Sequence, residues 1–404
     1  MQKRSRHSLV ALPLVGLLTL AACGSDGDDA ASTDTTAATE TTAGGAETTA
    51  AAGGETTGAL AGVCPETVVI QTDWNPEAEH GFLYEMLGDD AEIDSGAVAV
   101  RGTLYADKGT VDTGVKLEIR SGGPAIGFQT VTSQIYQDSD ILLGYVYTDE
   151  GIQNSAEFPT VAVMAPFEKN PQMIMWDPET YPNVKTIADL GTEGVLIRYF
   201  GGAAYMEYYL SEGVLSADQV DSGYDGSPAG WLADQGKSAQ QGFGSAEPYI
   251  YKNEIAEWGK DVAYAYINDE GWNNYAEALA TKPENIETYA DCFTALVPII
   301  QQATVDYVKD PARTNALIIE AVDTFDNGWV YSQGVADYGV ATMLSDGLIA
   351  NGPDSTLGNF DEARIDDLIA KAIPVYTALG TPPKDGLTAA DLVTNQFVDM
   401  SIGL

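Results

Sequence analysis

Apolar residues along the chain fall into two regimes. From residue 67 to about 200 they form short β-rich runs separated by Gly, Pro and Asp, and beyond residue 258 they recur at helical spacing. Thr67-Val68-Val69-Ile70 predicts the first strand, and the amphipathic run from Phe82 to Leu87 predicts a short helix after it. Asp89 to Gly114, rich in Gly, Asp and Thr, predicts a hairpin excursion. Strands follow at Val115 to Arg120 and Ile141 to Thr148, with a helix from Ala125 to Tyr136 between them. Pro159 to Ala165 predicts a buried strand and a crossover into a second domain. There a helix (Asn183 to Leu190), a strand (Gly194 to Phe200) and a helix (Ala203 to Leu210) repeat the alternation. Gln240 to Tyr249 predicts a strand returning to the first domain, broken at Pro248. Helical patterns begin at Phe293 and run from Ala312 to Phe325, Val330 to Leu344 and Glu362 to Leu379. The pattern as a whole predicts an α/β fold with a helical C-terminal part.

Candidate chemistry collects where strands give way to helices. Asp73, Trp74 and Asn75 follow the first strand, with His80 close behind, and carboxyl ends of strands are where open α/β sheets bind ligands. Pro76 ends that strand, because it has no N–H for the ladder. Ser121-Gly122-Gly123-Pro124 follows the second main strand, and Gly201-Gly202 follows the strand of the second domain. Two glycine-rich helix starts, one per domain, are what a ligand held between two lobes requires. Neither matches G-x-G-x-x-G or a P-loop lysine motif, so the spacing gives no case for a nucleotide. Thr148-Asp149 at the end of another strand, and Glu247 with Tyr249 beside Pro248, complete the set.

The N-terminus predicts processing rather than fold. Lys3, Arg4 and Arg6 precede an apolar stretch, Leu9 to Leu20, that is short for a membrane span. Leu20-Ala21-Ala22-Cys23 resembles a bacterial lipobox, which implies a signal peptide over 1–22 and lipid on Cys23. Residues 23–62, mostly Thr, Ala, Gly, Asp and Glu, predict a disordered tether spanning on the order of 35 Å. Cys64 and Cys292 remain, and an oxidising compartment favours a bridge between them over two buried thiols.

Composition narrows the partners. The 404 residues carry a formal charge of −41, which opposes nucleic acid and anionic headgroups, so no nucleic acid and no membrane contact beyond the lipid are expected. The chain has two histidines, and His80 is the one beyond the signal, so no Ser-His-Asp triad or His-rich metal centre has its parts. Asp149 and Glu150, as neighbours on a strand, point to opposite faces and make a poor acid pair. The expectation is a binding protein rather than an enzyme, with no cofactor and no metal.

Lipobox, tether, two α/β lobes and helical tail together resemble an extracytoplasmic solute-binding protein of an ABC importer. Thr72-Asp73-Trp74-Asn75-Pro76, Glu79-His80-Gly81 and Gly244-Ser245-Ala246-Glu247-Pro248-Tyr249 are similar to the family that binds thiamine pyrimidine precursors, whose relatives bind nitrate, alkanesulfonates and riboflavin. The resemblance covers Val68 to the C-terminus and departs from the family at the excursion from Asp89 to Gly114. It implies a two-lobed periplasmic-binding-protein type II-like fold with two β crossovers near Met164 and Tyr251. Lobe 1 is then 63–163 with 252–404, and lobe 2 is 164–251. It also implies a monomer that delivers a small molecule to permease subunits at the outer face of the membrane. On a pyrimidine, Trp74 would stack from one lobe and Tyr199 or Tyr205 from the other. Glu247, or else Asp73, would accept hydrogens from a protonated ring nitrogen and its neighbouring amine. For a sulfonate or nitrate the glycine-turn amides and Arg198 would have to serve, against the protein's own field.

Overall fold

β1 (Thr67–Gln71) carries Val68, Val69 and Ile70 at its centre and is buried from Val68 to Gln71, as a strand covered on both faces must be. A computed structural model of the protein describes residues 58–404. The expected signal peptide, Cys23 and the tether as far as residue 57 lie outside the described residues. The last part of the expected tether is folded: Leu60 is buried in the core, and its N–H donates to the Thr113 carbonyl at 3.0 Å. A leucine that can be buried ends the low-complexity run earlier than residue 62.

After β1 come β2 (Glu92–Asp94), β3 (Ala99–Ala106), β4 (Val111–Arg120), β5 (Ile141–Val146) and β6 (Val161–Met164). These belong to one seven-stranded sheet. The chain then builds β7 (Gln172–Trp176), β8 (Ile197–Arg198), β9 (Val220–Asp221), β10 (Ala239–Phe243) and β11 (Ala263–Tyr266), all in a second sheet. β12 (Ala278–Thr281) returns to the first. The sheet orders are β2-β3-β4-β1-β5-β12-β6 and β11-β7-β10-β8-β9. β1 is parallel to β4 and β5, and β10 is parallel to β8, so the carboxyl ends of five strands point the same way within their sheets. β12 runs antiparallel between β5 and β6, which places its first residues beside those carboxyl ends.

Three assignments differ from the sequence expectation. The return crossover comes between Tyr266 and Ala278 rather than near Tyr251, because Ala263–Tyr266 still pairs antiparallel with β7. Gln240 to Tyr249 is not a returning strand: β10 lies inside the second sheet, and a helix spans Glu247–Asn253 with Pro248 in its first turn. Proline suits that position, since its missing N–H would be unpaired there in any case. Likewise Thr148 to Gly151 is no strand end but the start of a helix, Thr148–Asn154.

Four long helices, Ala290–Lys309, Ala312–Phe325, Gln333–Ser345 and Glu362–Leu379, supply the helical C-terminal part. Cys292, fully buried in the first of them, forms a disulfide with Cys64, just ahead of β1. None of the helices among the described residues is long and apolar enough to cross a membrane.

Candidate functional site

The carboxyl ends of β1, β4, β5, β8 and β10 open on one cavity of about 610 Å³, larger than the hollows beside Cys64 (about 300 Å³) and beside Lys169 (about 340 Å³). β1 leads into Asp73 and Trp74, β4 into Gly123, β5 into Tyr147, β8 into Phe200 and Gly201, and β10 ends on Phe243. Both sheets therefore contribute walls, as a cleft at strand carboxyl ends requires.

One wall is aromatic. Trp74 meets Trp329 edge to face at 5.9 Å between ring centroids, Phe200 at 6.4 Å and Phe128 at 6.0 Å, and Phe200 in turn packs on Tyr224 at 4.9 Å. Gly123 makes room for this: it sits at φ 54°, and a Cβ there would lie 2.7 Å from the Trp74 ring. Gly122 serves the same loop, since a Cβ would strike the Thr72 carbonyl at 2.3 Å. The amides of this turn are already engaged. Ser121 N–H donates to Val98, Gly122 N–H to Trp74 and Gly123 N–H to Asp73, at 3.0, 2.8 and 2.8 Å. This turn holds the tryptophan loop and has no free amide to offer an anion.

The lining is also acidic. Asp73, Glu77, Asp225, Glu247 and Glu277 line the cavity, and no lysine or arginine does among the described residues. Burial pushes the carboxyls of Glu77 and Glu277 well above the usual range, with neighbouring carboxylates adding to the shift. Glu247 is pushed up to about 7 by burial, although its Oε2 accepts the Phe243 N–H at 2.7 Å. It lies in the first turn of the helix after β10 rather than on a crossover strand. Arg198, the cation that could have met an anion, instead donates to Asp234 at 2.7 Å and to Ser238, and does not line the cavity.

His80 is fully buried, with Nε2 3.4 Å from Asp73 Oδ1 and 3.8 Å from both Glu77 Oε1 and Glu277 Oε2. Glu277 is held at φ 50°, a left-handed conformation that non-glycine residues seldom adopt.

Of the residues expected from sequence, Asp73, Trp74, Gly123, Gly201 and Glu247 line the cavity. The others support it or lie elsewhere. Asn75 Oδ1 accepts from Asn327 at 2.9 Å, tying the β1 loop to the segment that carries Trp329. Thr148 and Tyr275 exchange two hydrogen bonds, and Asp149 accepts from Trp272 at 3.1 Å and Asn274 at 2.8 Å. Together they pin the return crossover just before Glu277. Tyr205 donates to Gln241 Oε1 at 2.7 Å, and Gln241 lines the cavity. Ser121 and Gly122 are buried behind the loop, and Gly202 is exposed. Tyr199 is buried in the core behind Phe200, and Tyr249 packs on Tyr338 instead of the cavity.

Sequence reasoning missed Glu77, Asp225 and Glu277 among the acids and Phe128, Tyr147, Phe200, Tyr224 and Trp329 among the rings. For Phe200 the signal was present: side chains alternate along a strand, so choosing Tyr199 chose the wrong face.

No protein-family model matches the sequence, and no curated protein does. Solved structures do. A periplasmic sulfonate-binding protein, SsuA, from Methylobacillus flagellatus KT aligns with a TM-score of 0.51 and 13% identity, over 82% of this chain and 92% of that one. The alkanesulfonate-binding protein SsuA from Xanthomonas axonopodis pv. citri, bound to MOPS, aligns at 0.50 and 13%, over 82% and 99%. The periplasmic nitrate-binding protein NrtA from Synechocystis PCC 6803 aligns at 0.48 and 12%, over 82% and 87%. The chain has the periplasmic-binding-protein fold, two α/β sheets with a cleft between them.

Proposed function

We propose that this chain is the solute-binding component of an ABC importer and that it captures a flat, nitrogen-bearing solute carrying positive charge or several N–H donors. The observation that carries this reading is the make-up of the cavity lining: the rings of Trp74, Phe200 and Trp329 together with five acidic side chains, and no lysine or arginine among the described residues. Rings bury well against aromatic faces, and a charge-assisted pair in a part-desolvated site is a strong hydrogen bond. An aminopyrimidine of the thiamine-precursor kind presents a ring nitrogen beside an exocyclic amine, a pair that Glu247 can accept. Riboflavin shares the flat ring.

The alternative solute is the sulfonate or nitrate named for the structural neighbours. Identity of 13% carries the fold across and not the ligand. The acidic lining, the engaged amides of residues 121–123 and the pairing of Arg198 all oppose an anion. Capture rather than catalysis is the activity proposed.

In this account the two sheets form two lobes that close by hinge motion at the crossovers, and permease subunits receive the solute. The signal peptide and a lipid on Cys23 would keep the protein at the outer face of the membrane. Mass spectrometry of small molecules released from the purified, denatured chain tests the reading. A cationic or amine-bearing heterocycle is the expected cargo, and a sulfonate would overturn it.

A further inference from the structure

Four buried atoms around His80 have no hydrogen-bond partner: Asp73 Oδ1, Glu277 Oε2 and both ring nitrogens of the histidine. His80 is 0% exposed and Glu277 1%. Leaving a buried polar group unsatisfied is costly, so several in one place require a reason. The atoms are not scattered. Asp73, His80 and Glu277 can each offer one ligand atom, with all three atoms within 4.8 Å of one another. Glu77 Oε1 stands 3.8 Å from the same imidazole nitrogen.

We infer that Asp73, His80 and Glu277 hold a divalent transition-metal ion of the zinc class at the floor of the cavity. One imidazole nitrogen and two carboxylate oxygens are a mixed N/O set suited to zinc, which binds such ligands at about 2.0–2.2 Å. Ligand atoms around an ion of that size stand roughly 3–4 Å apart, and the Nε2–Oδ1 and Nε2–Oε2 separations of 3.4 and 3.8 Å already fall there. Two carboxylates balance the charge of the ion with the imidazole neutral. His80 is fully buried and does not line the cavity, whereas Asp73, Glu77 and Glu277 do, so an ion on these ligands would lie where the core meets the cavity. Thr148 and Asp149, which fix the segment leading to Glu277, then position a metal ligand. With Asp73 and Glu277 on the ion, Glu77, Asp225 and Glu247 are the cavity acids left to the solute.

The test uses the mature full chain, stripped with a chelator and dialysed, then titrated calorimetrically with zinc chloride alone. One equivalent per chain is expected, with a zinc-dependent rise in melting temperature. Asp73→Asn and Glu277→Gln keep the side-chain shapes and should each weaken zinc binding at least tenfold while the metal-free variants still melt cooperatively. Cobalt(II) bound in place of zinc should show the intense visible bands of a low-symmetry N/O site, which carboxylates on the acidic surface would not produce. Absence of a stoichiometric site, or equal uptake by both variants, overturns the inference. An aminopyrimidine titrated in the presence of chelator is read separately, so failure of the native chain to take zinc while it still binds the aminopyrimidine overturns the metal site alone.

Discussion

Trp74, carried at the end of β1 in the first sheet, meets Phe200, at the end of β8 in the second, with ring centroids 6.4 Å apart and planes at 64°. Both rings line the cavity, so its aromatic surface draws on both sheets. Each ring is fixed from behind. Gly123 gives Trp74 its space, and Gln241, held by Tyr205, accepts the Phe200 N–H at 3.0 Å.

Removing either ring should cost affinity without costing the fold. Trp74→Ala and Phe200→Ala are each expected to weaken solute binding at least tenfold by calorimetry, since stacking adds about 1 kcal/mol beyond the burial that is also lost. Tyr199→Phe, behind the wall, should change affinity little. Equal losses for Tyr199 and Phe200 would mean that the ring contact is not with the solute.

Glu247 gives a pH signature. Its carboxyl, pushed up to about 7, is largely protonated in the empty cavity below that pH and must ionise to pair with a cation. Affinity for a permanently cationic heterocycle should therefore rise between about pH 6 and about pH 8, with proton release visible as a buffer-dependent heat. Glu247→Gln should weaken binding at least tenfold and flatten the profile. An unchanged profile in the variant would remove Glu247 from the site.

The empty protein should be more stable in mild acid than at alkaline pH. Glu150, Glu168 and Glu247 are pushed up to about 7, chiefly by burial, and Glu77 and Glu277 are raised further. Groups raised in the folded state contribute stability that is full below their unfolded pKa of about 4.3 and is lost as pH rises through their folded values. Acids lowered by partners, such as Glu118 beside Arg101 and Arg120, act in the opposite sense, but only as pH falls through their depressed values. The melting temperature of solute-free protein should therefore fall from about pH 5 to about pH 8, and Glu247→Gln should raise it at the upper end. A melting temperature that climbs over this window would contradict the burial of these carboxylates.

The disulfide predicts a stability effect separate from binding. Cys64 and Cys292 close a loop with a sequence separation of 228, and removing such a bridge typically costs about 2–5 kcal/mol. Cys64→Ser with Cys292→Ser should lower the melting temperature by several degrees, as should reductant on the native chain. Solute affinity at room temperature should stay the same, because the bridge lies away from the cavity. A change in affinity with no change in melting would reverse this assignment.

Much of the fold was legible because its signals are local. β1, β5, β6 and the helices Ala312–Phe325 and Glu362–Leu379 show their periodicity in their own residues, and Asp73-Trp74 announces itself by following a buried strand. What could not be read depends on distant partners. Glu277 looks like any other acid in an acidic chain until the crossover, pinned by Thr148 and Asp149, brings it to His80. A lone histidine argued against a metal centre because the sequence did not show that three carboxylates gather round it. The glycine turns looked equivalent in sequence, yet one is consumed in holding Trp74 while the other leaves Gly201 on the cavity wall. Helix or strand at Glu247 was ambiguous for a different reason. Pro248 ends strands and begins helices equally well.

The charge of the solute separates a cation site from an anion site, and one series of titrations reads it. Purified protein, freed of bound cargo, is titrated by calorimetry in one buffer at about pH 7.5 with a cationic aminopyrimidine, an alkanesulfonate and nitrate in turn. The acidic, aromatic cavity predicts heat and saturation with the aminopyrimidine and none with either anion. Saturable binding of the sulfonate or of nitrate, with none of the aminopyrimidine, would contradict the account.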